Sequence, residues 1–169
     1  MDVLDAIKST RAVRQFTDAP IPDDVLDKIL RAALRAQSSK NTQPWELIVV
    51  RDRDTLVALS KLGDFMSHVA GAATCVAFVA PNEHPWVYFD LGQSAAYLQL
   101  AAHDLGIGSC LGAIYRPDEA RHLLGVPAHL SLMAVVSLGY PSPTFKPATL
   151  GGRKPLTEKV HRDRFPACG

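Results

Sequence analysis

Between Asp23 and Ala36 the positions Leu26, Ile29, Leu30, Ala33 and Leu34 fall on one stripe, the recurrence that predicts an amphipathic helix. Pro22 and the acids Asp23 and Asp24 suit its first turn, where the helix end carries partial positive charge. The following SSKNTQPW interrupts helicity, because Pro44 disfavours helical geometry at Gln43. Glu46–Val50 (ELIVV) then reads as a short β-branched strand. Asp54–Leu62 reads as a helix. Thr74–Ala80 reads as a strand whose apolar run does not alternate, which implies burial on both faces.

The longest periodic stretch runs from 86 to 105. Leu91, Ala95, Leu98, Ala102 and Leu105 recur at helical spacing, and Ala96 and Ala101 add apolar surface on other faces. A helix apolar around most of its circumference belongs inside a fold or in a subunit interface. Gly106 and Gly108 stop it. Ser109–Tyr115 reads as a short strand or a loop, Pro117–Leu124 as a short helix, and Ser131–Leu138 (SLMAVVSL) as another buried strand ended by Gly139-Tyr-Pro-Ser-Pro. Beyond it the chain is rich in Pro, Gly and Arg and has no apolar period of its own, so residues 142–169 form an extension that hangs free or lies on another surface. Helices separating three or four strands predict one α/β or α+β domain, 1–169, around a central sheet.

The chain has 169 residues, enough for one core without disulfides. Lys plus Arg is 18 against 17 Asp plus Glu, so no bulk charge points to nucleic acid or an anionic membrane. Three cysteines (Cys75, Cys110, Cys168), none in C-x-x-C, fit free thiols in a reducing compartment. The N-terminus carries acids among its apolar residues, unlike a signal peptide. The most apolar stretch, Ala70–Pro81, is far short of the ~20 residues of a membrane helix. The expected location is the cytoplasm.

Several common chemistries find no motif. There is no G-x-x-x-x-G-K-[ST] loop, no strand-linked G-x-G-x-x-G and no G-x-S-x-G elbow. The six histidines (68, 84, 103, 122, 129, 161) show no zinc spacing, so no metal is expected. Cys110, a lone thiol beside an apolar segment, reads as packing. What remains is polar residues at the ends of elements. Arg11 and Arg14 are three apart, and a helical or turn-like backbone would bring both guanidinium groups to one side, where they suit a phosphate or an electron-rich ring edge. Ser38-Ser39-Lys40-Asn41 lies between a helix and a strand, a place for ligand-facing hydroxyls and amides or for an ordinary polar turn. Gly151-Gly152-Arg153-Lys154-Pro155 offers adjacent cations.

Taken in order, STRAVRQF, AQSSKNTQPWELIVV, DLGQSAAYLQLAAHDLGIGSCLG, LGYP and GGRKPLTEKVHRDRF resemble the nitroreductase family of FMN-dependent oxidoreductases, over Ile7 to Phe165. The resemblance implies an α+β, three-layer fold with a central, mostly antiparallel sheet flanked by helices, assembled as a homodimer with a C-terminal arm. It implies FMN as cofactor and NAD(P)H as transient reductant, in a ping-pong cycle that reduces nitroaromatics, quinones or related electrophiles. Related outcomes are a flavin or deazaflavin storage protein, or a specialised reaction such as dehalogenation or flavin fragmentation. A small interaction module with no cofactor would make the motif series a coincidence.

By the same resemblance Arg11, Ala12 and Arg14 bind the flavin phosphate and pyrimidine edge. Ser38, Ser39 and Asn41 come from the partner subunit. The loop around Leu111, Gly112 and Ala113 offers backbone N–H groups near the central-ring nitrogen, and Arg153 or Lys154 returns to the phosphate. No side chain is implied as a nucleophile. The chain departs from the family pattern Arg-Arg-Ser-x-Arg at Thr10 and Ala12, which leaves the motif one cation and one hydroxyl short. Gln37 stands where a proline is common, and the chain is short for the family, which bears on substrate range.

Overall fold

Four strands, Glu46–Val50 (β1), Thr74–Pro81 (β2), Gly108–Ala113 (β3) and Leu130–Gly139 (β4), form one antiparallel sheet in the order β1-β2-β4-β3. The computed structural model describes residues 2–81, 86–148 and 152–165. His84, Gly151 and Cys168, named above, lie outside the described residues.

The unbroken apolar run of β2 follows from its place at the centre of the sheet, between β1 (Leu47 opposite Phe78) and β4 (Val76 opposite Val136). Val76 and Phe78 face one helical layer, while Cys75, Ala77 and Val79 face the other. The first layer holds Asp23–Ala33 (α2) and Trp86–Asp104 (α4), which pack Leu26, Ile29 and Ala33 with Leu91, Leu98 and Ala102. The buried Ser94 hydroxyl donates to the Ala33 carbonyl at 3.0 Å and ties the two helices together. The second layer holds Arg53–Leu59 (α3), a 3-10 turn at Ser67–Gly71 and Pro117–Leu123 (α5), which contribute Leu56, Leu59, Met66, Val69 and Ala120.

Differences from the sequence expectation sit at element ends. Helix α2 closes at Ala33 because the last turn tightens, with Arg35 N–H bonded to Ala32 O and Ala36 N–H to Ala33 O. Helix α3 begins one residue early because Asp52 caps it. The Asp52 carboxylate accepts from the Thr55 hydroxyl at 2.6 Å and the Thr55 N–H at 2.8 Å, and these bonds hold its pKa below the ordinary value. The segment at 109–115 is a strand rather than a loop through Ala113. Helix α4 stops as expected: Gly106 is left-handed at φ 74°, and Ile107 N–H returns to Ala102 O at 2.8 Å. A first helix, Val3–Ser9 (α1), buries only Ala6 and shows Val3, Leu4 and Ile7 to solvent, which explains why no apolar stripe announced it.

After β4 the chain turns back on the N-terminal segment. Thr17 N–H bonds Tyr140 O, Phe16 bridges Pro141, and Ser142 N–H bonds Gln15 O. Residues 152–165 are exposed and contain one helical turn, Leu156–Lys159 (α6). Among the described residues no helix is long and apolar enough to cross a membrane.

Candidate functional site

The N-terminal motif is extended, not helical or turn-like. Ala12 forms a parallel bridge with Ser109 of β3, and Val13 N–H donates to Ser109 O at 2.9 Å. Gly108 makes this approach possible, since a Cβ there would sit 2.8 Å from Val13 Cβ. In extended backbone alternate side chains take opposite sides. Arg11 and Arg14 therefore do not converge on one side. They line separate clefts on either side of Phe145.

Arg11 lines a cleft of about 290 Å³ with Ser9, Thr10, His103 and Ser109. Its guanidinium donates to the Lys8 and Thr10 carbonyls at 2.6 and 2.8 Å. The Thr10 hydroxyl donates to Ala6 O at 2.7 Å, closing α1. Arg14 and Ala12 line the other cleft, about 320 Å³, with Gln15, Thr144, Phe145 and Lys146.

Arg14, itself exposed, acts electrostatically on the Cys110 thiol. Burial pushes that thiol's pKa up, while the positive charge of Arg14 and a hydrogen bond from it pull the other way. Beneath it lies a polar link inside the core. His68 Nδ1 is 2.8 Å from Ser137 Oγ, and Ser137 Oγ donates to Cys110 O at 3.3 Å. Burial first, and the Arg14 charge second, bring the His68 pKa down to about 4, so the ring is neutral at physiological pH. Its Nε2 is buried without a hydrogen-bond partner.

Strand β3 forms one edge of the sheet. Ile114 N–H donates inward to Met133 O, whereas Ser109 O faces outward to Val13. Alternation then directs the polar groups of Leu111 and Ala113 outward and those of Gly112 toward Val135 of β4. Both ends of this edge are covered, by the Arg11–Val13 segment at Ser109 and by Gly63 against the Ala113 carbonyl. Between them Leu111 is 52% exposed and lines an apolar cleft with Phe78, Tyr88, Leu91 and Met133. The N–H donors on this edge are therefore Leu111 and Ala113. Gly112 serves packing instead: a Cβ there would meet Met66 Cγ at 2.8 Å.

The Ser38–Asn41 segment forms a tight turn in which Lys40, Asn41 and Gln43 all have left-handed backbone, at φ 52°, 57° and 46°. Such conformations cost ~1–3 kcal/mol each in residues with side chains and cluster at functional sites. Two bonds brace the turn: Ser39 N–H to Asp90 Oδ2 at 3.3 Å, and Gln43 N–H to Ser38 Oγ at 2.9 Å. Ser38 and Ser39 line an open cleft with Asp90 and the exposed pair Trp86–Phe89, whose rings lie 5.0 Å apart. This cleft is not the one that holds Arg14. Arg153 and Lys154 are exposed on the stretch before α6 and line none of these clefts in one protomer. Cys75 and Cys110 are free thiols, and no cluster of three His, Cys, Asp or Glu is present among the described residues.

Sequence reasoning missed Lys146 and the His68–Ser137 link. Lys146 sits in a Pro-rich tail with no period to mark it. His68 and Ser137 are 69 residues apart and meet only through the sheet.

An antiparallel sheet between two helical layers, with one sheet edge partly open beside a basic extended segment, defines a three-layer α+β class. The sequence profile of the Nitroreductase family matches residues 7–68 and 64–140, and the chain belongs to that family. It is 31% identical over 180 residues to the NADH dehydrogenase of Thermus thermophilus, covering 84% of this chain and 88% of that one. It is 30% identical over 178 residues to the oxygen-insensitive NADPH nitroreductase of Salmonella typhimurium, covering 92% and 71%. Among solved structures, the FMN-dependent nitroreductase of Clostridium difficile superposes with a TM-score of 0.85 at 32% identity, covering 96% of this chain and 99% of that one.

Proposed function

We propose that this chain is an FMN-dependent oxidoreductase that takes reducing equivalents from NAD(P)H and passes them to small electrophiles, nitroaromatics and quinones among them, in a ping-pong cycle. Family membership and the activities named for its relatives support the oxidoreductase class. The observation that carries the site is the outward edge of β3 at Leu111, open between two covered ends and flanked by Arg14.

The donor set fits FMN: a guanidinium and a nearby ammonium, backbone N–H groups on an open edge, and no acid among the side chains lining the Arg14 cleft. FMN, when bound, supplies the ring that accepts and gives up hydride, and the protein supplies binding, orientation and electrostatics. Arg14 would bind the ring's electron-rich edge, where its charge would favour the reduced anionic form and raise the potential. Leu111 and Ala113, with outward N–H groups on the β3 edge, would hold the ring. Arg153 or Lys154 of the C-terminal extension would offset phosphate charge, whereas Arg11 faces the other cleft. Ser38, Ser39 and Asn41, held apart from Arg14 within one protomer, serve the cofactor of the second subunit in a homodimer. That dimer also covers the apolar surface left exposed on α1 and α4. No side-chain nucleophile is needed, and the cytoplasm is the fitting compartment.

The test is the visible absorption spectrum of the purified protein before and after anaerobic addition of NADPH. A yellow protein bleached by NADPH and recoloured by a nitroaromatic or quinone is the expected result. A colourless protein that takes up no added FMN overturns the reading.

A further inference from the structure

We propose that Lys146 is a further cofactor-binding residue, the cation that meets the phosphate in the Arg14 cleft; this rests on the FMN reading above. Within the N-terminal motif only Arg14 brings charge to that cleft. Ala12 offers a methyl group, and the Arg11 guanidinium faces the other cleft and is bonded to the Lys8 and Thr10 carbonyls. Arg14 is exposed and lines this cleft beside Lys146. The cleft's second cation comes from the 142–148 loop, which supplies Thr144 and Lys146.

That loop is built to hold its place. Ser142 N–H bonds Gln15 O at 2.9 Å, which ties it to the cleft's own wall. Phe145 N–H bonds Ser142 O at 2.9 Å, and the Ser142 and Thr144 hydroxyls lie 2.8 Å apart. Phe145 is packed between the two clefts, so Lys146 leaves the turn at a defined position on the Arg14 side. Lys146 is exposed and forms no ion pair among the described residues, so its charge is available to an anion. An elongated ligand with an electron-rich ring at one end and a phosphate at the other can meet Arg14 with its ring and Lys146 with its phosphate.

The experiment titrates the full-length chain, freed of co-purified flavin, with FMN and with riboflavin, which lacks the phosphate. Wild type, Lys146→Ala and Lys146→Arg are compared by flavin fluorescence. Loss of one charged phosphate partner at an exposed site costs about tenfold in affinity. The expected result is that Lys146→Ala binds FMN about tenfold more weakly, binds riboflavin as wild type does, and is rescued by Lys146→Arg. Unchanged FMN binding, or equal losses for both flavins, overturns the assignment while leaving the FMN reading intact. A wild-type chain that binds no FMN overturns both.

Discussion

Replacing His68 by Asn probes the buried polar link beneath β3. The imidazole is 5% exposed, with Nδ1 2.8 Å from Ser137 Oγ and Nε2 unpartnered. Burial, reinforced by Arg14, brings its pKa from 6.5 to about 4. In the unfolded chain the same ring titrates at its ordinary value. Below that pH the unfolded state takes up a proton that the folded state refuses, so stability falls as pH falls, and the loss levels off once pH drops below the folded pKa. Between about pH 7.5 and about pH 4.5 this single group removes about 2.5 kcal/mol, at ~1.36 kcal/mol per pKa unit. Urea unfolding of the flavin-free protein, followed by circular dichroism at several pH values, measures the effect. His68→Asn keeps an amide toward Ser137 but takes up no proton. Carboxylates titrate in both proteins, so the difference between the two stability curves isolates His68. The expected outcome is a wild type that loses about 2.5 kcal/mol more than the variant over this range. Parallel curves would refute a neutral, buried His68.

Three further substitutions test other parts of the structure. Arg14→Ala is expected to weaken FMN binding by about 10–150-fold, the range for a lost charged partner, and to lower the flavin potential; an unchanged dissociation constant rules out its role. Gly63→Ala places a Cβ 2.2 Å from the Ala113 carbonyl oxygen and 2.6 Å from Met66 Sδ, and forcing that contact costs about 1–3 kcal/mol or more. An unshifted melting temperature for that variant contradicts the close crossing of Gly63 over β3. Leu98→Ala empties a fully buried position between α4 and the sheet and should lower unfolding free energy by about 2–5 kcal/mol, whereas a change under about 1 kcal/mol would mean that α4 does not pack as described.

The candidate site is distributed within one protomer. Arg14 with Lys146, Arg11, Leu111 and the Ser38–Ser39 turn line four different clefts. Two of these share Phe145 as a wall, and three adjoin α4. A cofactor that meets both the Arg14 cleft and a Ser38–Ser39 turn would draw on more than one copy of the chain, which is the physical content of the homodimer proposed here.

The chain's own pattern located most of the scaffold. The bounds of β1, the doubly buried β2, the long helix ended by Gly106 and the order of the polar motifs were all legible, because period, β-branching and glycine stops are local properties of consecutive residues. Element ends were less legible where a single side chain decides them, as Asp52 does for α3. The face on which each arginine lies was not legible at all. Their spacing suits convergence on a helix, but pairing with β3 extends the segment and sends Arg11 and Arg14 to opposite sides. Lys146 and His68 acquired their settings the same way, one through a loop bonded to Gln15 and the other across the sheet to Ser137. Periodicity encodes which side of an element is apolar, whereas contacts between distant segments depend on how the whole chain packs, and that is where the site's charges were placed.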